Sequence, residues 1–175
     1  MKITELYIKN FGRFSEQHFY IKDGVQVIYG ENEYGKSTLQ AFIRAMLFGM
    51  ERGRGKAAAK DDFSKYQPWE NPNYYAGVMR FRCGNRNFRL ERSFDRILKQ
   101  VSLVCEDDGE ELSVEHGDLD MLLGGITPGM YDNTVPIGQF QSRPGQELAE
   151  SLKNYAANYY CLLYTSPSPR DGLLS

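Results

Sequence analysis

The sequence predicts an α/β fold in which a mixed sheet carries a glycine-flanked loop, sits beside an antiparallel β-meander and is flanked by helices. Three observations carry this. Residues 30–38, Gly30-Glu31-Asn32-Glu33-Tyr34-Gly35-Lys36-Ser37-Thr38, complete the pattern G-x-x-x-x-G-K-[ST]. The apolar run Val25-Gln26-Val27-Ile28-Tyr29 comes directly before it and a helical pattern directly after. Further on, three extended segments follow one another between short turns.

In chain order, Ile3, Leu6, Ile8 and Phe11 mark a first strand that ends at Asn10-Phe11-Gly12-Arg13-Phe14, where Gly12 permits a turn. A second extended piece around His18 to Ile21 leads to the hairpin-type turn Lys22-Asp23-Gly24. Val25 to Tyr29 is expected as a buried strand. From Lys36, the apolar positions Leu39, Phe42, Ile43, Met46 and Leu47 step by three and four along one helical face, and Gly49 is the expected stop. Residues 50–65 lack a period and are rich in glycine and charge, which predicts a mobile surface loop. Arg52, Arg54, Lys56 and Lys60 in it are in position to touch phosphate, although a solvated run is the plainer reading. Pro68 and Pro72 bracket Trp69 in an expected rigid connector packed on the body.

The meander is placed at Gly77 to Cys83, Asn87 to Phe94 and Ile97 to Glu106, with turns at Gly84-Asn85 and Asp107-Asp108-Gly109 and an outward row of Arg80, Arg82, Arg89 and Arg86. A short acidic helix around Val114 to Leu123, the turn Gly124-Gly125, a helix from Pro128 and the segment Val135 to Gln141 follow. Ser142 is the expected cap of a last helix with a stripe of Leu148, Leu152, Tyr155 and Tyr159. That stripe needs a partner surface, so the isolated chain is expected to be marginally stable with apolar surface exposed.

The loop motif has a specific chemistry. Its glycines allow a turn tight enough for successive N–H groups to face phosphate oxygens, and the following helix adds its positive end. Lys36 reaches the β and γ phosphates, and Ser37 offers its hydroxyl to Mg²⁺. Residues 30–38 are therefore the expected contacts for ATP with magnesium.

The chain of 175 residues is one domain's worth, and its net charge of −2 conceals an asymmetry. Residues 1–100 hold 18 Lys/Arg against 11 Asp/Glu; residues 101–175 hold 3 against 12. The basic first part suits a polyanion, but a solvated basic face explains it equally. Cys83, Cys105 and Cys161 have no C-x-x-C spacing and no neighbouring His, and read as reduced thiols. His18 and His116 are isolated. No stretch has the length of a membrane span and the N-terminus opens a strand, which predicts a cytoplasmic protein without membrane contact.

The elements Lys9-Asn10-Phe11-Gly12-Arg13-Phe14, Val27 to Glu33, and Phe42-Ile43-Arg44-Ala45-Met46-Leu47-Phe48-Gly49 together resemble the SMC, SbcC and RecN group of ABC-type ATPases, and within it the YhaN-like AAA proteins. A second anchor is Tyr131-Asp132-Asn133-Thr134-Val135-Pro136-Ile137-Gly138-Gln139. The resemblance covers residues 1 to about 160 and implies the N-terminal lobe of a P-loop NTPase head of ABC type, incomplete in itself. It further implies that Gln139 is the Q-loop glutamine, which completes the Mg²⁺ shell and senses the γ phosphate and water. Gln141 is the alternative, and a glutamine that only closes a strand remains open. By the same resemblance Arg13 approaches the nucleotide phosphates and Asn32 sits over them.

Such heads use ATP to hold two heads together, and hydrolysis releases them. The implied partners are therefore a second head and DNA, in double-strand break repair or DNA processing, with a nuclease partner left open. The sequence holds no apolar strand ending in Asp-Glu, no Leu-Ser-Gly-Gly signature and no heptad coiled coil. ATP binding without efficient turnover is thus the expectation for this chain, with ATPase activity belonging to the full-length protein. A small kinase-like enzyme and a regulatory module that holds nucleotide without DNA are the competing readings.

Residues 161–175 break from the preceding pattern. Cys161 to Asp171 matches, over 11 consecutive codons, a translated transposase-type sequencing adapter. The expected organisation is a head lobe over 1–142, a helix over 143–160 leading toward a coiled coil, and a non-native tail over 161–175.

Overall fold

The computed structural model describes residues 1–50, 61–72, 74–95, 100–136, 149–150 and 152–153. The chain divides into two compact units, Met1–Gly125 and Ile126–Ser175.

The first unit is built on a six-stranded antiparallel sheet of order β2-β1-β3-β4-β5-β6. Its strands are β1 (Lys2–Phe11), β2 (Phe14–Tyr20), β3 (Ala76–Cys83), β4 (Arg86–Ser93), β5 (Val101–Cys105) and β6 (Glu111–Leu112). The register aligns Leu6 with Met79, Met79 with Leu90, Leu90 with Leu103 and Leu103 with Leu112, so every second residue feeds one apolar face. Helix α1 (Lys36–Phe48) lies on that face and buries Leu39, Phe42, Ala45, Met46 and Leu47. Its apolar stripe has the predicted spacing. Phe42 meets Phe11 edge to face at 5.3 Å, and Tyr75 and Phe94 complete the cluster.

The C-terminal end of α1 is tied down by a residue distant in sequence. Arg92 of β4 donates from Nε to the Met46 carbonyl at 3.0 Å, while the Gly49 N–H closes on Ala45. A guanidinium is well placed against the negative end of a helix, and burial lowers its pKa from the usual arginine value. Asn10 is the buried polar residue of the core. Its amide donates to the carbonyls of Asn71 and Tyr74, at 3.1 and 2.8 Å, and so holds the segment leading into β3.

The opposite face carries Arg80, Arg82 and Arg89 of the predicted row, and Arg80 and Arg89 are paired with carboxylates. Arg80 pairs with Glu5 and with Glu106, and Arg89 with Glu91, which Lys9 also pairs. Arg86 sits opposite Cys83 in the register and so falls on the other face from Arg80, Arg82 and Arg89; it reaches Asp108 at 3.3 Å. Stacked on this surface are Tyr7 and His18, with ring centroids 3.9 Å apart. Glu5 lies at the centre: His18 Nδ1 is 2.9 Å away and Arg80 donates to its other oxygen. Burial pushes the Glu5 carboxyl up, but the hydrogen bonds and charges of His18 and Arg80 outweigh it and hold the group below the usual carboxylate value.

A carboxylate depressed in the folded state stabilises the fold above its unfolded pKa, and that stability is lost as pH falls through the folded one. Glu5→Gln is therefore expected to be less stable than wild type at neutral pH. The gap should close below roughly pH 4, as urea midpoints measured across pH would record.

Several expectations are corrected. Residues 25–29 form no ladder bonds in the sheet, and Val25 and Tyr29 are 97% and 88% exposed rather than buried. A strand exists through its neighbour's N–H and C=O groups, and no strand among the described residues pairs with this run. Trp69 is exposed, and its N–H donates to the Gly12 carbonyl. Residues 62–65 form a helical turn, α2 (Asp62–Lys65), that buries Phe63 and is capped by Asp61, which accepts from Ser64 N–H at 2.8 Å. Residues 51–60 of the expected loop, residues 97–99 of the meander and Cys161 lie outside the described residues. Between Leu112 and Gly125 the acidic segment folds into α3 (Asp118–Leu122), which begins later than expected.

The second unit opens with α4 (Pro128–Thr134), where Thr127 accepts from the Met130 N–H at 3.3 Å and Pro128 occupies the first turn. Of the predicted apolar stripe, Leu152 is described and is exposed; the others lie outside the described residues.

Candidate functional site

The loop before α1 turns at Asn32 and Glu33, with the Tyr34 N–H donating to the Glu31 carbonyl at 3.2 Å. Glu33 takes φ +66° and Gly35 φ +102°. The second value is one that glycine tolerates and side-chain-bearing residues avoid. Space enforces the same choice, because a Cβ on Gly35 would stand 2.5 Å from Phe14 Cζ and 3.1 Å from Arg13 Cδ.

The turn between β1 and β2 therefore packs directly on the loop. Gly12, at φ +57°, would bring a Cβ within 2.8 Å of Thr38 Cγ2 in the first turn of α1. Arg13 donates to the Glu33 carbonyl, and its guanidinium carbon is 5.6 Å from the centroid of the Tyr34 ring. The turn Gly12–Phe14 and the loop 30–38, picked out separately in the sequence, thus form one surface.

On the other side of the loop, Lys36 Nζ donates to the carbonyls of Gly30 and Glu31 at 2.6 and 2.7 Å. An ammonium has three donors, so one is left for a ligand. Ser37 is exposed beside it, and Thr38 is half-buried under Gly12. No side chain caps α1 and its first turn holds no acid, so its leading N–H groups and the positive end of its dipole face outward uncompensated. Together with two cations, this arrangement is suited to holding a polyanion.

Arg13, Gly30, Glu31, Glu33, Tyr34, Gly35, Lys36 and Thr38 are thus brought together. Asn32 lies exposed at the loop's turn. Gln139 and Gln141 lie outside the described residues. Sequence reasoning missed the part played by Phe14 and Gly12 as the floor under Gly35 and Thr38; the Phe-Gly-Arg-Phe turn was visible, but its contact with the loop was not. Among the described residues no group of three His, Cys, Asp or Glu could hold a metal ion, and no helix is long and apolar enough to cross a membrane.

The profile of the AAA domain family matches residues 5–120. The chain is 38% identical over 80 residues to the uncharacterized protein YhaN of Bacillus subtilis, covering 45% of this chain and 7% of that protein. It is 26% identical over 121 residues to the DNA double-strand break repair Rad50 ATPase of Thermoplasma volcanium, covering 69% of this chain and 13% of that one. A solved structure from the structural biochemistry of ATP-driven dimerization and DNA-stimulated activation of SMC ATPases superposes with a TM-score of 0.53 at 19% identity. That superposition covers 87% of this chain and 99% of the other. The fold is thus that of an SMC-type ATPase head, and the chain spans a small fraction of the curated relatives it matches.

Proposed function

The chain belongs to the AAA domain family, and from that premise we propose that residues 30–38 and Arg13 bind ATP with magnesium as the N-terminal portion of an SMC/Rad50-type ATPase head. The observation that carries the reading is the outward-facing, uncapped start of α1 with Lys36 and Arg13 turned onto the loop beside it.

A triphosphate fits these residues. The loop amides and α1 would receive the phosphates, Lys36 would supply its free donor, and Arg13 would offset further charge. Magnesium would take the Ser37 hydroxyl and otherwise oxygen from phosphate and water, since the described residues offer no acidic cage. When bound, the metal supplies Lewis-acid neutralisation of the phosphate charge. Gln139 is the proposed further ligand to it. In the full-length protein, ATP would join this head to a second one and couple hydrolysis to DNA repair or processing; the Rad50 relative is named a DNA double-strand break repair ATPase, and the SMC ATPase neighbour is described by its ATP-driven dimerization. Residues 143–160 would lead from the lobe toward a coiled coil.

Calorimetry of the folded chain with ATP and magnesium is expected to show saturable uptake near one site, with slow turnover. Absence of uptake would overturn the nucleotide assignment, and rapid turnover the assignment as half of a site. Equal affinity for ADP and ATP with unchanged self-association would favour a regulatory module, and a phosphorylated small-molecule product a kinase.

A further inference from the structure

Arg13 differs from the paired arginines of the sheet. Arg80 and Arg89 meet carboxylates, whereas Arg13, exposed in the turn between β1 and β2, has no carboxylate partner among the described residues. The loop is what holds it. Its guanidinium donates to the Glu33 carbonyl, and its Cζ lies 5.6 Å from the centroid of the Tyr34 ring, within cation–π range. A guanidinium has five N–H donors, so most remain for a ligand.

The Tyr34 ring is fixed from its other side. A Cβ on Gly30 would stand 2.6, 2.7 and 2.9 Å from Tyr34 Cδ1, Cγ and Cβ, so the ring lies directly against the Gly30 backbone. Glu33, whose carbonyl receives Arg13, takes φ +66°, a conformation that side-chain-bearing residues seldom adopt, and the Tyr34 N–H closes the turn on Glu31 at 3.2 Å. Tyr34 is 55% exposed and fills no core, and among the described residues its hydroxyl has no hydrogen-bond partner. What it offers is a ring face, and Arg13 lies over it. A long arginine side chain is mobile in water, and ordering it when a ligand arrives costs affinity. A ring that already holds the guanidinium removes part of that cost.

We propose that Tyr34 is a positioning residue for Arg13: its ring, seated on Gly30, holds the guanidinium at the rim of the loop, where a phosphate oxygen can accept from it. The inference rests on the phosphate-loop reading above, and the Tyr34 side chain itself touches neither base nor phosphate. The probes are ATP and inorganic tripolyphosphate, each with magnesium, titrated calorimetrically into the full chain, its Tyr34→Ala, Tyr34→Phe and Arg13→Ala variants and the double alanine variant. Tyr34→Ala is expected to weaken both probes by about twofold to fivefold, the size of an exposed cation–π contact, with a melting curve close to that of wild type. Tyr34→Phe, which keeps the ring, should recover most of that loss. In the Arg13→Ala chain, Tyr34→Ala should cost less than about 1.5-fold, because the side chain it positions is gone.

An undiminished loss from Tyr34→Ala in the Arg13→Ala chain overturns the proposal, since Tyr34 would then act without Arg13. A loss confined to ATP does so too, by making Tyr34 a contact of the nucleoside, and so does a Tyr34→Phe variant that recovers nothing. Equal affinity for tripolyphosphate in wild type and Tyr34→Ala, or in wild type and Arg13→Ala, sinks the positioning role while the loop assignment stands. If wild type takes up neither probe, the loop assignment falls and the positioning role with it.

Discussion

Lys36→Ala is expected to weaken magnesium-ATP binding by about a hundredfold or more while leaving thermal stability close to wild type. One charge-assisted hydrogen bond to phosphate, at about 1.5–3 kcal/mol, and the lost attraction between the ammonium and the phosphate charge set the size of the loss. The stability side rests on where Lys36 stands. It is the first residue of α1, exposed, in a turn with no acid and no capping side chain. A cation at the positive end of a helix is unfavourable by about 0.3–1 kcal/mol, and alanine is the best helix former. Its bonds to the Gly30 and Glu31 carbonyls lie in solvent and are worth little net. Lys36 thus sits where folding alone would not favour a lysine, as the proposed phosphate contact requires. Calorimetric titration alongside a melting curve separates the two contributions. Undiminished ATP affinity in the variant would remove Lys36, and with it the phosphate loop, from the site.

Much of the fold could be read from the chain because it depends on local periods. The alternation Met79-Arg80-Phe81-Arg82 and the steps Leu39-Phe42-Met46 have one structural solution each, and β3 and α1 fall where those patterns put them. Residues 25–29 show what a period does not contain. Their apolar character marks them as suited to a strand, but pairing depends on a neighbour supplied elsewhere, and no described strand pairs with them. Trp69 failed in the converse way: an aromatic between two prolines suggests packing, yet nothing local says whether a core lies beneath it.

Charge was misleading for a related reason. The arginine row on the sheet was visible, while the pairing of Arg80 and Arg89 with Glu5, Glu91 and Glu106 is set by register and long-range contacts that composition does not encode. The site itself was legible to the extent that it is contiguous. The motif gave residues 30–38, whereas the packing of Gly12 and Phe14 beneath it is a tertiary contact that only the fold reveals.

Gly77→Ala is expected to destabilise the first unit by about 2–3 kcal/mol, near the upper end for overpacking. The added methyl would stand 2.4 Å from Phe42 Cε2 and Cζ and 3.2 Å from the Tyr7 carbonyl oxygen. A surface ring would swing aside. Phe42 is fully buried and wedged edge-on against Phe11, so the methyl must instead lift α1 from the sheet. Phe42→Leu removes the ring atoms that obstruct it, at its own cost in lost burial. The double variant should then lose less than the sum of the two single losses, by about 0.5–3 kcal/mol in urea unfolding. Strict additivity would show that the ring is not the obstacle. ATP titration adds a second reading, because α1 carries Lys36, Ser37 and Thr38. Displacing the helix in Gly77→Ala should reduce affinity and stability together, and Phe42→Leu in the same chain should restore part of the affinity. Lys36→Ala takes away affinity alone, so the pair of variants distinguishes a helix that is out of place from one that has lost its ligand-binding cation.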